Sequence, residues 1–319
     1  MIVAAIFIVT VLLTFLIKKI ALRHAIIDTP NARSSHTVPT PRGGGLAIII
    51  AFFIGVSYLF FINEIEQSLY FALLSVWPIV LISLVDDISP QSARKRVAVQ
   101  LFSSLLAIYF LGGIQTWNFG VFVLEGIWLN FLALLLLLWF TNLYNFLDGI
   151  DGYAGSEAVF IGLAAYWLFG NLPVLYLAVA AGGFLVFNWH KASIFMGDVG
   201  SASLGFIFAV FMLNDAHAAV FSGWFVLLSL FWFDATATLF RRWMRKENLA
   251  QAHRNHAYQR LNQSGIPHDR VVMLGMGINV LFAFMLSRID ATDYWLVLIF
   301  VMIILSVILR VVDARKAFE

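Results

Sequence analysis

The chain has 319 residues and no Cys; 61% of it is hydrophobic and 12% charged, with a formal net charge of +2 and a mean hydropathy of +0.90. Soluble domains carry about 25% charged residues, and half that charge cannot cover a water-exposed surface, so a soluble globule is excluded. The 31 Phe exclude disorder, the lack of Cys excludes disulfides and thiolate metal sites, and the small net charge gives no sign of a nucleic-acid partner.

What remains is a polytopic membrane protein. A spanning helix needs about 20 mostly apolar residues. Runs and breaks predict eleven spans, at 2–17, 44–62, 68–85, 97–114, 128–146, 156–170, 173–189, 200–214, 218–240, 271–288 and 294–311. The sixth, seventh and eighth are short. No basic residue precedes the first run, whereas Lys18 and Lys19 follow it. This order predicts an uncleaved first helix, the N-terminus outside and the C-terminus cytoplasmic. In that orientation every Lys and Arg except Arg288 falls on the inner side, Arg33 among them, as the positive-inside rule requires.

The same inner ends carry acids. Asp86 and Asp87 close the third span in Ser83-Leu-Val-Asp-Asp-Ile-Ser-Pro90. Asp148 and Asp151 follow the fifth in Asn142-Leu-Tyr-Asn-Phe-Leu-Asp-Gly-Ile-Asp-Gly152. Asp198 follows the seventh in Phe195-Met-Gly-Asp-Val-Gly-Ser201. Carboxylates near a bilayer are costly and usually functional. At helix C-terminal ends they oppose the macrodipole, so a compensating cation is expected beside them. Neighbours on a helix point about 100° apart, which predicts distinct roles for Asp86 and Asp87. Asn142, Asn145 and Asp148 step by three and share a face if the fifth span continues that far. Gly149 and Gly152 permit tight turns.

Oxygen-only ligands favour a hard cation, Mg²⁺ first and Mn²⁺ as the alternative. Acids, such a cation and several Arg together are the apparatus of phosphate-ester chemistry, and no Walker A motif points to an ATP-driven pump. Three features stay open between two readings. His253-Arg-Asn-His-Ala-Tyr-Gln-Arg260 is either a solvated basic face or a binder of anionic or sugar hydroxyl groups. Arg42-Gly43-Gly44-Gly45 either offers N–H groups to phosphate or packs closely at a helix start. Asp234 either pairs with a basic group, Arg241 and Arg242 lying seven and eight residues on, or has a role of its own.

These motifs, with the early stretch Asp28-Thr-Pro-Asn-Ala-Arg-Ser-Ser-His-Thr-Val-Pro-Thr-Pro-Arg-Gly-Gly-Gly45, resemble the polyprenyl-phosphate N-acetylhexosamine-1-phosphate transferases, glycosyltransferase family 4. The resemblance runs in order from 28 to about 267. It implies one all-α transmembrane catalytic domain over 1–319, in the bacterial inner membrane, with cytoplasmic loops 18–43, 86–96, 147–157, 190–199 and 241–270. It implies transfer of sugar-1-phosphate from a UDP-N-acetylated sugar to undecaprenyl phosphate, with Mg²⁺ and release of UMP; a homodimer is compatible with it. By motif position, Asp198 is the metal ligand, and Asp86 and Asp87 are the catalytic acids. Asn145, Asp148, Asp151 and Phe195 line the nucleotide pocket, Phe195 against uracil. Arg94 or Arg96 faces phosphate, and His253 and His256 lie on the sugar side. The late loop lacks the run of consecutive His found in the muramyl-pentapeptide branch. It is closer to enzymes that initiate O-antigen or related surface polysaccharides, which points to UDP-N-acetylfucosamine or UDP-N-acetylquinovosamine, with UDP-GlcNAc as the alternative. A transporter would place its ionisable groups at the midplane on broken, repeated helices, and a non-catalytic scaffold would not need every motif acid that is present here.

Overall fold

The computed structural model describes residues 1–30, 35–249, 251 and 253–318. Arg33 and the Arg33-Ser34 part of the early motif lie outside the described residues. Of the described residues, 71% are helical. Fourteen α-helices are described: α1 Ile2–Arg23, α2 Gly45–Phe61, α3 Gln67–Leu74, α4 Trp77–Ile88, α5 Ala93–Phe110, α6 Leu129–Phe146, α7 Tyr153–Phe169, α8 Leu172–Asn188, α9 Asp198–Asn214, α10 Phe221–Leu227, α11 Ser229–Met244, α12 Ala257–Gln263, α13 His268–Leu286 and α14 Tyr294–Arg315.

Each of the eleven apolar runs coincides with one helix or one helix pair. Five stretches are long and apolar enough to cross a membrane: α1, α3 with α4, α6, α13 and α14. The pair α10 and α11, bent by 74°, makes a sixth if counted as one span, while α2, α7, α8 and α9 are shorter apolar helices. α1 runs two turns past the apolar run, because Lys18, Lys19 and Arg23 are good helix formers.

The expectation of a purely helical chain is corrected in two places. β1 Ile27–Asp28 pairs antiparallel with β2 Thr40–Pro41, and β3 Thr116–Asn118 with β4 Val123–Glu125. Neither is long enough to leave a period in the sequence. The second ribbon knits the end of the bundle remote from the acids: Asn118 N donates to Ala216 O, and Gly120 fits against the Thr292 carbonyl, where a Cβ would come within 2.1 Å.

α9 sits at the centre. Every residue from Val199 to Leu213 is buried, so its apolar surface is continuous all round, as a fully enclosed helix requires. It packs on α6, α4 and α2, while α8 packs on α7, α1 and α2. Gly45 meets Gly200 where α2 crosses α9; a Cβ on Gly45 would lie 2.2 Å from Gly200 Cα. Small residues allow backbones to approach this closely. That crossing brings the start of α2 against the loop leading into α9.

Candidate active site

The Arg42–Gly45 segment packs, and three of its N–H groups are engaged in doing so: Arg42 N donates to Ile26 O at 3.3 Å. Gly44 N donates to Phe195 O at 3.0 Å and Gly45 N to Met196 O at 2.9 Å, which resolves the two readings in favour of close packing. Arg42 then turns onto the C-terminus of α4. Its Nε donates to Asp87 O at 2.8 Å and its Nη2 to the Asp86 and Asp87 carbonyls. This is the compensating cation expected at that helix end.

The two adjacent acids diverge. Asp87 is buried, and its carboxylate accepts from Asp198 N at 3.2 Å and Val199 N at 3.4 Å. The end of α4 thus caps the N-terminus of α9, where partial positive charge favours an anion. Gly197, at φ +74°, makes this approach feasible, since a Cβ there would meet Asp87 Oδ2 at 2.5 Å. Asp86 instead accepts from Gln91 N and from Arg96 Nη1 at 3.0 Å. The same Arg96 nitrogen reaches Asp198 Oδ2 at 3.0 Å. Arg94 lies on the exposed side of α5, because two residues along a helix turn about 200°; of the two Arg, only Arg96 reaches the acids.

Asn145 Nδ2 donates to Asp198 Oδ2 at 3.3 Å, and Ser201 Oγ donates to Asn145 Oδ1 at 2.7 Å. The shared face expected of Asn142, Asn145 and Asp148 does not form. α6 ends at Phe146, and Asn142 exchanges amide hydrogen bonds with Gln100 at 2.9 and 3.3 Å. Asp148 enters the site from the following turn. Burial first, then the nearby Asp198, Asp87 and Asp151, push its carboxyl up to about 7. Asp151 behaves oppositely. Burial would raise it, but contacts with His268, His190 and Ala192 N outweigh that and hold it below the usual carboxylate range.

A cavity of about 560 Å³ opens among these groups, lined by Asp87, Asn145, Asp148, Asp151, Phe195 and Asp198 together with His253, Gln259 and His268. Phe195 lines the cavity, and its ring meets His36 edge to face at 4.8 Å. Burial first, then His256 and Arg242, lower the His253 imidazole to about 4. Its Nδ1 accepts from Asn255 N at 3.2 Å, which leaves Nε2 as the N–H donor of a neutral ring. His256 does not reach the cavity. Its side chain is buried at the start of α12, 3.7 Å from Asp234. Asp234 caps that helix, accepting from Ala257 N at 2.8 Å and Tyr258 N at 3.4 Å; Arg241 pairs with Asp313 and Arg242 with Glu247 instead. α12 in turn brings Tyr258 over Gly149, where a Cβ would strike its hydroxyl at 2.1 Å.

Sequence reasoning passed over three cavity residues and one behind them. His36 stood in the early motif and Gln259 in the late loop without an assigned role, while His268 in the lining and His190, which contacts Asp151, carried no signal of their own. The groups that line the cavity come from the segments around 28–45, 87, 145–151, 188–198 and 253–268. These are the segments predicted to share one membrane side.

The structure is thus a helical bundle with several helices long and apolar enough to cross a membrane and with carboxylates and Arg clustered around one cavity. A family model for glycosyl transferase family 4 matches residues 69–215. The chain is 29% identical over 318 residues to the probable undecaprenyl-phosphate N-acetylglucosaminyl 1-phosphate transferase of Bacillus subtilis (strain 168), covering 94% of this chain and 87% of that protein. It is 30% identical over 230 residues to the phospho-N-acetylmuramoyl-pentapeptide-transferase of Kosmotoga olearia, covering 66% and 72%. It is 28% identical over 312 residues to the decaprenyl-phosphate N-acetylglucosaminephosphotransferase of Mycobacterium tuberculosis, covering 84% and 76%. The chain belongs to glycosyl transferase family 4, in the polyprenyl-phosphate hexosamine-1-phosphate transferase superfamily.

Proposed function

We propose that this protein transfers the sugar-1-phosphate of a UDP-N-acetylhexosamine to undecaprenyl phosphate and releases UMP, with eleven spans and its active site on the cytoplasmic face of the bacterial inner membrane. The observation that carries the reading is the convergence of Asp87, Asn145, Asp148, Asp151 and Asp198 on one cavity at the end of the bundle. The nucleotide sugar enters from water, while the prenyl chain stays among the helices. A 6-deoxy sugar, N-acetylfucosamine or N-acetylquinovosamine, is the donor favoured by the late-loop motif, with initiation of O-antigen or another surface polysaccharide as its role. UDP-GlcNAc is the second reading, favoured by the names of the Bacillus and Mycobacterium relatives.

The oxygen donors suit a hard divalent cation. Asp198, with Asp148 nearby, would hold Mg²⁺; burial first and then repulsion from Asp198, Asp87 and Asp151 raise Asp148, and such an ion would relieve the repulsion. When bound, Mg²⁺ would neutralise charge on the diphosphate of the donor. Asp87 lines the cavity and Asp86 does not, so Asp87 is the acid assigned to take the proton of the lipid phosphate. The freed lipid oxygen attacks the sugar-bearing phosphorus, and the bond to UMP breaks with its electron pair leaving on UMP. Arg96, tied to Asp86 and Asp198, holds the acids in register. The neutral His253 donates a hydrogen bond to the donor.

Incubating purified protein with undecaprenyl phosphate, Mg²⁺ and a panel of UDP-N-acetylhexosamines, 6-deoxy sugars included, is expected to release UMP with one donor. Asp198→Ala is expected to lose that release; full activity in this variant would remove the metal assignment. A second expectation concerns pH. Between about 4 and about 7 the folded protein holds a proton on Asp148 that the unfolded chain, near 3.8, has lost. Stability from this group therefore falls as pH rises across that window and is level above it. Mg²⁺ must displace that proton, so its affinity is expected to drop by up to about tenfold per pH unit below 7. The rise in melting temperature on adding Mg²⁺ should accordingly be larger at pH 8 than at pH 6. An equal rise at both would place Asp148 away from the ion.

A further inference from the structure

Asp151, His190 and His268 reach one another from three separate elements: the turn between α6 and α7, the loop after α8 and the first turn of α13. His190 Nδ1 lies 3.0 Å and His268 Nδ1 3.3 Å from Asp151 Oδ2. Ala192 N donates to the same oxygen at 3.3 Å. Asp151 N donates to His268 Nδ1 at 3.2 Å, so His190 holds the carboxylate while His268, its Nδ1 an acceptor, holds the backbone N–H beside it. Among the described residues every contact to this carboxylate falls on Oδ2, and none on Oδ1. Asp151 and His268 both line the cavity.

α13 delivers His268 in a set register. Eleven residues further on, about 16 Å along the helix, Asn279 Nδ2 donates to Glu157 Oε2 at 2.6 Å, with both side chains buried. α7, which carries Glu157, starts two residues after Asp151. The helix is therefore anchored at two polar points to the same stretch of chain.

We infer that His190 and His268 are positioning residues of the donor pocket: they clamp Asp151 through Oδ2 and its backbone N–H, leaving Oδ1 to accept a hydrogen bond from the nucleotide. This rests on the reading of Asp151 as a donor-pocket residue. The three side chains also offer ligand atoms within 4.8 Å of one another, a set that suits a transition metal. The Nδ1 lone pair of His268, however, already accepts the Asp151 N–H, so a hydrogen-bonded clamp is the chemistry this geometry favours.

The clamp acts through Nδ1 of both rings, and this gives it a signature. Asn places its amide near Nδ1, whereas Gln places it near Nε2. Full-length protein in detergent carrying His190→Gln or His268→Gln is expected to bind UMP about tenfold more weakly by calorimetry, with little change in melting temperature. His190→Asn and His268→Asn are expected to bind within about threefold of the wild type, because one hydrogen-bonding group is retained at each contact. Asp151→Leu, which removes both oxygens, separates the pocket from the clamp. If this variant binds UMP like the wild type, the donor-pocket reading fails. If Asp151→Leu weakens UMP but Gln and Asn behave alike at 190 and 268, the pocket stands and the clamp is wrong. Binding of one Zn²⁺ by the wild type that is lost in both Gln variants would also overturn the clamp, in favour of a metal site.

Discussion

Asp87→Asn is expected to preserve the fold and to lower UMP release at least about hundredfold, the size of effect that removing an acid–base group produces. The substitution separates two jobs held by one side chain. Asp87 caps α9 through Asp198 N and Val199 N, and it lines the cavity as the acid assigned to the lipid phosphate. Asn keeps an oxygen that can accept one of those N–H groups but cannot take a proton at neutral pH. Asp87→Ala removes the cap as well and is expected to cost about 1–2 kcal/mol of stability in addition, read as a lower melting temperature. Wild-type turnover in Asp87→Asn would leave Asp87 with the capping role alone and move the proton transfer elsewhere. Asp86→Asn should do less to the cap, since Asp86 touches Gln91 N and Arg96, not α9.

The second large effect is expected at the crossing of α2 and α9. Gly45→Val places a branched side chain where a single Cβ already comes within 2.2 Å of Gly200 Cα and 2.6 Å of Gly200 N. Neither atom belongs to a flexible side chain, so the helices must separate. Overpacking of this kind costs about 1–3 kcal/mol and sometimes more. The functional loss is expected to exceed the stability loss. Arg42 stands three residues before Gly45 and Asp198 two before Gly200, so a shift of about 1 Å here displaces both, and misplacement of that size can cost about hundredfold in rate. Gly182→Ala is the control. On α8 a Cβ at that position meets only Val159 and Phe7 side chains, at 3.9 and 4.0 Å, and both stability and turnover should stay at wild type. Equal behaviour of Gly45→Val and Gly182→Ala would show that the crossing tolerates separation.

The membrane class, the eleven apolar segments and the acidic motifs were legible in the amino-acid order. Hydrophobicity accumulates locally, and a run of about 20 apolar residues has few other uses. The demand for a cation at the end of α4 was legible too, because the helix dipole follows from local geometry. That Arg42 meets this demand was not, since the contact spans 45 residues. The same limit explains the remaining differences. Arg94 and Arg96 look equivalent in sequence, and only the burial of one face of α5 against the acids distinguishes them. His256 looked like a partner to His253, but the cap that Asp234 provides for α12 draws it inward. Asn142 seemed to belong with Asn145 until Gln100 claimed it. His190 and His268 were silent because an isolated His carries no period and no motif, and their meaning arises when α13 lays one of them against Asp151, 117 residues away. Periodicity and composition record what each segment does with its own neighbours and with lipid. Which side chains share a cavity depends on how close two helices can come, and here that rests on atoms Gly45 and Gly200 do not have.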